Sequence, residues 1–337
     1  MTSAPATESV RERWESEYHQ LPPSGPSAGP RPLSRVLDGE APYRFVGRER
    51  ETSEFVELVR SNRLIVFHAE SGAGKSSLLD MSLFGRLFDM GYAVLPCRSW
   101  ESLGDQDPEA FLTSEFLKAD LLHPAVIDEL DAGLGLMSAL DELYGLEERA
   151  VIILDQFEEL IRNRRPRVFN RVVDWILEVN KSREVKIVIS MRSEYQHRLA
   201  RLIKAARPFS TAYFELPVMQ DAKSIERVVA SANSGSSTAI EEDAVAAFME
   251  QWTHRHEAGD HLTLLAVQAS LYSLHDLARA RSVSEDSAVT VTVADVEKLW
   301  DEAADLAGET GVGFDLFGYA FNHAIEVRLS HCMEACA

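Results

Sequence analysis

The stretch AESGAGKSS, residues 69–77, decides the fold class of this chain, because it has the pattern of a phosphate-binding loop. The residues before it, RLIVFHAE (63–70), are apolar enough to form a buried strand, and those from Lys75 to Phe88 have the periodicity of a helix. A glycine-rich turn between a buried strand and a helix is the structural context that such a loop requires. The sequence therefore predicts a nucleotide-binding site at this turn.

The loop also contains the side chains that phosphate binding needs. Its glycines let backbone N–H groups approach phosphate oxygens closely. Lys75 supplies a positive charge to the β and γ phosphates, and the Ser76 hydroxyl is placed to bind Mg²⁺. Ala69 replaces the first glycine of the GxxxxGK[ST] pattern, at a position that shapes the turn more than it touches phosphate. In this loop the predicted cofactor-binding residues are Glu70, Ser71, Gly72, Ala73, Gly74, Lys75, Ser76 and Ser77.

A second motif is the acidic end of the segment AVIILDQFEEL, residues 150–160. An apolar strand with a terminal Asp is the partner of a phosphate loop, so we expect Asp155 to hold Mg²⁺ directly or through water. One further strand, 92–97, separates the two motif strands, and this layout is typical of P-loop proteins in which a nearby acid polarises the attacking water. Glu158 and Glu159 are the candidates, and Glu158 is slightly favoured because it points less far from the strand end. Alternatively, both glutamates only compensate a helix dipole.

A third motif, VKIVISMR, places Arg192 two residues beyond a strand at 185–190. In the expected layout this strand is adjacent to the Asp155 strand. An arginine there is able to contact the γ phosphate and to sense its loss. The alternative is a surface charge at the start of a helix.

Five apolar segments with helices between them predict an α/β architecture. They are uniformly apolar rather than alternating, which indicates a parallel sheet covered by helices on both faces. After Pro217 we expect the strands to stop and an all-helical lid to follow. The predicted strands are 63–70, 92–97, 150–160, 185–190 and 211–216, and the predicted lid helices are 223–232, 241–252, 261–280, 293–304 and 314–334. The expected domains are a disordered Pro/Ser/Gly-rich tail (1–42), a P-loop core (43–216) and a helical lid (217–337).

Composition excludes several classes of protein. The 337 residues include 34 Lys+Arg and 54 Asp+Glu, which gives a formal net charge of −20. This charge argues against nucleic-acid binding, because contact with a phosphate backbone needs a cationic surface. The three cysteines cannot form a disulfide framework, so a reducing compartment is expected. No apolar run reaches the roughly 18 residues of a membrane span, and the N-terminus does not have the pattern of a signal peptide. These features predict a cytoplasmic protein.

The motifs together resemble a known family. VGRERE (46–51), the phosphate loop, DQFEEL (155–160), ISMRSEY (189–195) and FELPVM (214–219) are similar to the STAND NTPases, specifically the bacterial novel STAND group. The resemblance implies a five-stranded P-loop core with a helical lid, in which Val46, Gly47 and Arg48 seat the adenine and ribose. It also implies an ATP-operated switch in signalling or antiphage defence, closed with ADP and oligomeric with ATP.

The chain departs from that family in two ways. The family pattern continues into a winged helix, a sensor array and an effector domain, whereas this sequence stops at Ala337. The lid also has Gly259-Asp260-His261-Leu262 where the family commonly has Gly-x-Pro. We expect either a minimal ATPase subunit with separately encoded effector or sensor partners, or a fragment. Two other functions stay open: a DNA-handling P-loop ATPase of the initiator or transposition-helper type, and a nucleotide-dependent scaffold without hydrolysis.

Weaker groups of residues leave alternatives open. RNRRPRVFNR (162–171) contains five arginines, which suit an inter-subunit surface, a nucleic-acid patch or a solvated helix start. With Arg192, Arg198 and Arg201 they form a predicted basic face for an acidic partner. The histidines in THRHEAGDH (253–261) and the pair Cys332/Cys336 are poor candidates for a metal site.

Overall fold

The structure is a computed structural model that describes residues 46–98, 100–119, 121–142, 149–162, 166–180, 185–206, 210–231, 238–257, 264–281 and 289–310. The predicted tail over residues 1–42, the predicted last helix over residues 314–334 and the pair Cys332/Cys336 lie outside these ranges. Among the described residues, no helix combines the length and the apolar character that a membrane span needs.

Strands and helices alternate between residues 49 and 216. In chain order the elements are α1 (Glu49–Ser61), β1 (Leu64–Ala69), α2 (Lys75–Leu78), a π-helical turn (Leu79–Leu83), α3 (Phe84–Asp89), β2 (Tyr92–Cys97), a 3₁₀ turn (Trp100–Ser102), α4 (Pro108–Lys118), α5 (Pro124–Asp131), α6 (Leu136–Glu142), β3 (Arg149–Leu154), α7 (Glu158–Arg162), α8 (Pro166–Val179), β4 (Val185–Arg192), a 3₁₀ segment (Ser193–Leu199), α9 (Ala200–Ala206) and β5 (Thr211–Leu216).

The five strands form one parallel sheet, which confirms the predicted fold class. Their order is β2-β3-β4-β1-β5, and each neighbouring pair is parallel. In this sheet β4, rather than the expected strand 92–97, separates the two motif strands β1 and β3, since β2 lies on the outer side of β3. Strand β4 also extends to Arg192, which we had expected two residues beyond the strand.

The register of the sheet brings the motif ends to one edge. Ala69 at the end of β1 lies opposite Arg192 at the end of β4. On the other side, Leu154 of β3 lies opposite Ile189 of β4 and also opposite Cys97 of β2. The residues that follow β1, β2 and β3 therefore all leave the sheet at its carboxyl edge, where parallel α/β sheets bind ligands.

Both faces of the sheet are covered by apolar side chains. On one face, residues such as Val66, Ile152 and Ile187 are fully buried in a cluster that includes side chains of α8. On the other face, the ring of Phe67 lies 4.8 Å from that of Phe55 in α1, and Phe55 lies 5.1 Å from Phe214 of β5. This two-sided burial explains why the strands lack the alternation of half-exposed strands.

Four helical segments differ from expectation. The predicted regular helix from Lys75 to Phe88 is interrupted by the π-helical turn, and the predicted helix from Glu194 to Ala205 begins as 3₁₀ before α9. The short helices α5 and α6 were not predicted at all. A side chain accepts a hydrogen bond from the first turn of each helix. His123 accepts from the N–H of Ala125 in α5, and Glu109 of α4 accepts from the N–H of Met137 in α6.

The chain divides into two compact units. Among the described residues, the first unit holds Glu49–Ser71 and Leu78–Pro217, and the second holds residues 46–48, Gly72–Ser77 and the described residues from 218 to 310. The later elements of the second unit are α10 (Ala222–Ser231), β6 (Thr238–Ile240), α11 (Glu242–Glu257), α12 (Leu264–Arg281), β7 (Val289–Val291) and α13 (Val293–Thr310).

The second unit is mainly helical. Its core packs the rings of Phe248, Trp252 and Trp300, with Phe248 lying 5.7 Å from Trp300. We expected no strand after Pro217, but β6 and β7 form a two-stranded parallel sheet. Each strand has only three residues, too few for periodicity to reveal.

Candidate functional site

Asp155, the predicted magnesium ligand, is fully buried directly after β3. Its Oδ1 accepts hydrogen bonds from the Ser190 hydroxyl at 2.5 Å and from the N–H of Gln156 at 2.9 Å. Its backbone is also anchored, because its N–H donates to the carbonyl of Cys97 and its carbonyl accepts from the Trp100 indole at 2.7 Å. The strands β2 and β4 on either side of β3 thus hold this residue in place.

Arg98 contacts the second oxygen of the same carboxylate. Its Nε donates to Asp155 Oδ2 at 3.1 Å, and its Nη2 donates to the carboxylate of Asp80, which is buried in the π-helical turn. The guanidinium also lies over the ring of Phe84, 5.9 Å from its centroid. Sequence reasoning missed Arg98 and Asp80. The sequence shows that Arg98 directly follows the segment that forms β2. Only the strand order shows that β2 lies next to β3, and therefore that Arg98 is near Asp155.

Gln156 has a left-handed backbone with φ of 54°, and it is the only non-glycine residue in the described ranges with positive φ. The turn is fixed on both sides, since the N–H of Phe157 donates to the carbonyl of Ser190 at 3.0 Å and that of Glu159 donates to the carbonyl of Gln156 at 2.9 Å. Helix α7 begins immediately afterwards at Glu158. This strained turn therefore determines where the first side chain of α7 is placed.

The strain at Gln156 is testable by substitution. We expect Gln156→Gly to leave thermal stability unchanged or to raise it by up to about 1 kcal/mol, because glycine adopts positive φ without a steric penalty. Gln156→Val should lower stability by about 1–2 kcal/mol, since a β-branched residue is poorly tolerated there. Thermal unfolding of both variants is the measurement, with Gln106→Val as a control at an exposed residue whose φ is not positive. Equal melting temperatures for the two Gln156 variants would contradict the strain.

Glu158 is the more buried of the two candidate acids. It is 5% exposed, and its Oε1 lies 3.4 Å from Nε of Arg192, the last residue of β4. Its Oε2 is buried and has no hydrogen-bond partner within the described ranges. Glu159, one residue further in the first turn of α7, is partly exposed. The structure thus places Glu158, Arg192 and Asp155 at one edge of the sheet. Glu159 is more exposed to solvent than Glu158.

His68 adds a titratable group near the end of β1. Its Nδ1 lies 3.0 Å from the hydroxyl of Ser193, the residue after Arg192. Burial lowers the pKa of His68, and the charge of Glu215 opposes this only in part. Burial thus favours the neutral form of the imidazole. Sequence reasoning did not single out this residue.

The two glycines of the predicted phosphate loop have a left-handed backbone. Gly72 and Gly74 have φ of 79° and 88°, values that favour glycine. A Cβ on Gly74 would also lie 3.3 Å from the side chain of Leu264. Ala73 is buried, and its carbonyl accepts a hydrogen bond from Arg48 Nη2 at 3.3 Å. Both loop glycines thus adopt a backbone that other residues rarely take, and helix α2 begins directly after them at Lys75.

The predicted nucleoside-contacting segment packs within the second unit. Gly47 has φ of 84°, and a Cβ there would lie 3.1 Å from Met219 Cε and 3.4 Å from the carbonyl of Ser224. Asp221 caps α10 by accepting from the N–H groups of Lys223 and Ser224, and the hydrogen bonds to Ser224 lower the pKa of Asp221. Met219, Ser224 and Leu264 were not predicted as neighbours of this segment, because their approach depends on the packing of the second unit.

Other predicted site residues are more exposed to solvent than Asp155 and Glu158. Val46, Lys75, Ser76 and Ser77 are partly exposed, and Glu70 and Ser71 are exposed. Within the described part of the chain, no group of three or more His, Cys, Asp or Glu side chains is arranged to hold a metal ion, and His261 lies outside that part. Magnesium does not need such a group, since it binds through one or two protein oxygens together with phosphate and water.

The basic face is partly neutralised. Arg171 lies 3.8 Å from the carboxylate of Asp105, and Arg201 pairs with Asp174 at 2.8 Å. Arg162, Arg167 and Arg198 are exposed. Arg164 and Arg165, the centre of the predicted surface, lie outside the described ranges.

Comparison with known proteins gives one family and a set of structural neighbours. The model of the family described as "Novel STAND NTPase 1" matches residues 36–295, most of the chain. No curated protein gives a match. Among solved structures, the ORC2 protein of Aeropyrum pernix in its ADPNP-ADP complexes is similar with a TM-score of 0.51 and 12% identity, over 81% of this chain and 68% of that one. Domain III of the replication initiation protein DnaA from Thermotoga maritima has a TM-score of 0.45 and 15% identity, over 78% of this chain and 95% of that one. The ORC2 likeness shows a shared fold.

Proposed function

The chain belongs to the novel STAND NTPase 1 family, and we propose that it works as an ATP-operated switch that hydrolyses its nucleotide slowly. The observation that carries the proposal is the carboxyl edge of the sheet. There β1, the strand that leads into the phosphate loop, pairs with β4, which ends at Arg192. Strand β3, which is followed by the buried Asp155, pairs with the other side of β4. Asp155, Glu158 and Arg192 thus lie at the edge of the sheet from which β1 leads toward the phosphate loop.

Each site residue is assigned a role that follows from the chemistry of its side chain or backbone. Backbone N–H groups of Gly72–Ser77 and the Lys75 ammonium bind the phosphates, while Val46, Gly47 and Arg48 seat the adenine and ribose. The Ser76 hydroxyl and the Asp155 carboxylate would hold the magnesium ion. That ion, when bound, neutralises phosphate charge as the γ phosphate is transferred.

Glu158 is proposed to accept the proton of the attacking water. Its Oε2 is buried and makes no hydrogen bond among the described residues, so this oxygen has capacity to accept one. The other oxygen, Oε1, faces Arg192. When ATP is bound, Arg192 can leave Glu158 and pair with the γ phosphate instead. We propose that this exchange reports the presence of the γ phosphate to the rest of the molecule.

A phosphate-release assay beside a DNA filter-binding assay at low salt tests this function against its alternatives. We expect slow, Mg²⁺-dependent phosphate release without DNA binding, because the net charge of −20 opposes contact with a phosphate backbone. DNA binding at low salt would favour the DNA-handling ATPase. Nucleotide binding without any phosphate release would favour the scaffold.

The switch also predicts a change in assembly. We propose that Mg·ATP or a non-hydrolysable analogue converts a monomer or weak dimer into a larger assembly, alone or with a separately encoded effector or sensor protein. The basic face defined above would be steered toward an acidic neighbour, so high salt should weaken the assembly. Mass photometry with and without analogue, at low and high salt, is the measurement.

Substitutions test whether the basic face carries this assembly. Replacing Arg164 and Arg165 by Glu should abolish the larger species and leave nucleotide affinity intact. Arg60→Glu, at an exposed arginine on α1, is the control that reverses a charge elsewhere. A mass that stays constant in every condition, with partner proteins present, would leave a plain monomeric nucleotide binder as the better account.

A further inference from the structure

Arg98 joins two buried carboxylates that come from different parts of the first unit. The side chains of Asp80 and Asp155 are 1% and 0% exposed, and that of Arg98 is 13% exposed. Asp155 follows β3, whereas Asp80 lies in the π-helical turn of the helix that starts at Lys75. The guanidinium therefore links the end of the acidic strand to the π-helical turn, both within the first unit.

The contacts use separate edges of the guanidinium. Nε faces Asp155 and Nη2 faces Asp80, while the plane of the group lies over the Phe84 ring. This planar fork is a property of arginine, and a lysine ammonium cannot reproduce two fixed, divergent contacts of this kind. Removing one partner of a buried ion pair is strongly destabilising, and here two buried carboxylates contact the same cation.

We propose that Arg98 is a positioning residue for Asp155, an inference that rests on the proposed function. Oδ1 of Asp155 is held by Ser190 and by the N–H of Gln156, and Arg98 holds Oδ2. With both oxygens held, the torsion of the carboxylate is fixed before any metal arrives. Asp80 fixes Arg98 in turn, so the orientation of the magnesium ligand is tied to the π-helical turn that carries Asp80.

The inference is tested by the effect of Mg²⁺ on nucleotide binding. Calorimetry gives the affinity for a non-hydrolysable ATP analogue in Mg²⁺ and in EDTA, and the ratio of the two is the magnesium gain. For Arg98→Met we expect this gain to fall by at least about tenfold, while affinity in EDTA stays within about twofold, because the phosphate loop itself is untouched. Arg98→Lys should give an intermediate gain. Arg60→Met is the matched control, since Arg60 also pairs with a carboxylate, that of Glu57, but at the surface.

A double variant separates positioning from charge balance. If Arg98 only neutralises Asp80, adding Asp80→Asn to Arg98→Met will restore the full magnesium gain, and positioning is overturned. If Arg98 positions Asp155, the double variant will stay impaired. Should Arg98→Met fail to bind nucleotide in EDTA, the charge-preserving Arg98→Lys decides, with a wild-type gain overturning the inference and a reduced gain supporting it.

The outcome also distinguishes this inference from the proposed function. A wild-type protein that shows no magnesium gain would overturn the proposed function and this inference with it. A wild-type gain that Arg98→Met and Arg98→Lys both retain would overturn only the role of Arg98.

Discussion

Lys75→Ala is expected to abolish ATP binding, with a loss in affinity of at least about 100-fold, equivalent to about 2.7 kcal/mol. Lys75 is the first residue of α2 and, in the proposed function, the cation that contacts the β and γ phosphates. Charge-assisted hydrogen bonds to phosphate are about twice as strong as neutral ones, and the backbone N–H groups alone do not replace them. Isothermal titration calorimetry with Mg·ATP measures the loss directly.

Lys118→Ala is the matched control for this substitution. Lys118 is an exposed lysine at the end of α4 that pairs with Glu115 at 2.9 Å, so its removal deletes the same charge far from the loop in sequence. We expect its ATP affinity to equal that of the wild type. An unchanged affinity in Lys75→Ala would rule out AESGAGKSS as the phosphate site and leave the fold without its proposed function.

Glu158→Gln is expected to keep ATP binding within about threefold and to slow hydrolysis by at least about tenfold. The substitution preserves the shape of the side chain, so the turn after Asp155 and the packing of α7 should persist. It removes the carboxylate that would take the proton of water, and the buried Oε2 position loses its basicity. Single-turnover phosphate release with saturating Mg·ATP separates this effect on chemistry from binding.

Two other glutamates serve as comparisons. Glu194→Gln removes an exposed carboxylate that lies 4.0 Å from the same Arg192, and it should hydrolyse at the wild-type rate. Glu159→Gln tests the second candidate acid, which we expect to matter less because it is partly exposed. If Glu159→Gln alone slows hydrolysis, the catalytic acid is one residue further along α7. If neither variant is slowed, the chemistry lies elsewhere.

Several elements could be predicted from the sequence because their signal is local. The bounds of β2 and β5 are those of the apolar segments 92–97 and 211–216. Short apolar runs between polar turns identify strands that are buried on both faces. The π-helical turn after Leu78 could not be predicted in this way, since one extra residue in a helical turn hardly changes the periodicity. The same applies to β6 and β7, which are too short to show a pattern.

The candidate site shows the same division. Lys75, Ser76, Asp155, Glu158 and Arg192 were identified from motifs that lie at strand ends. Arg98 and Asp80 were missed, although they hold the predicted magnesium ligand, because neither belongs to a motif. Their roles emerge only when β2 is placed next to β3 and the turn at Leu79–Leu83 directs Asp80 toward Arg98.

The sequence by itself determined that a phosphate loop follows a buried strand and that an acidic strand end accompanies it, because these features depend on neighbouring residues. The tertiary structure alone decided which groups surround the acid. Ser190 and Arg98 are 35 and 57 residues away from Asp155 in the chain, yet both bond to its carboxylate. Parallel strands are joined by crossovers, so residues that meet at one sheet edge are separated in sequence by whole helices, and the strand order sets their contacts.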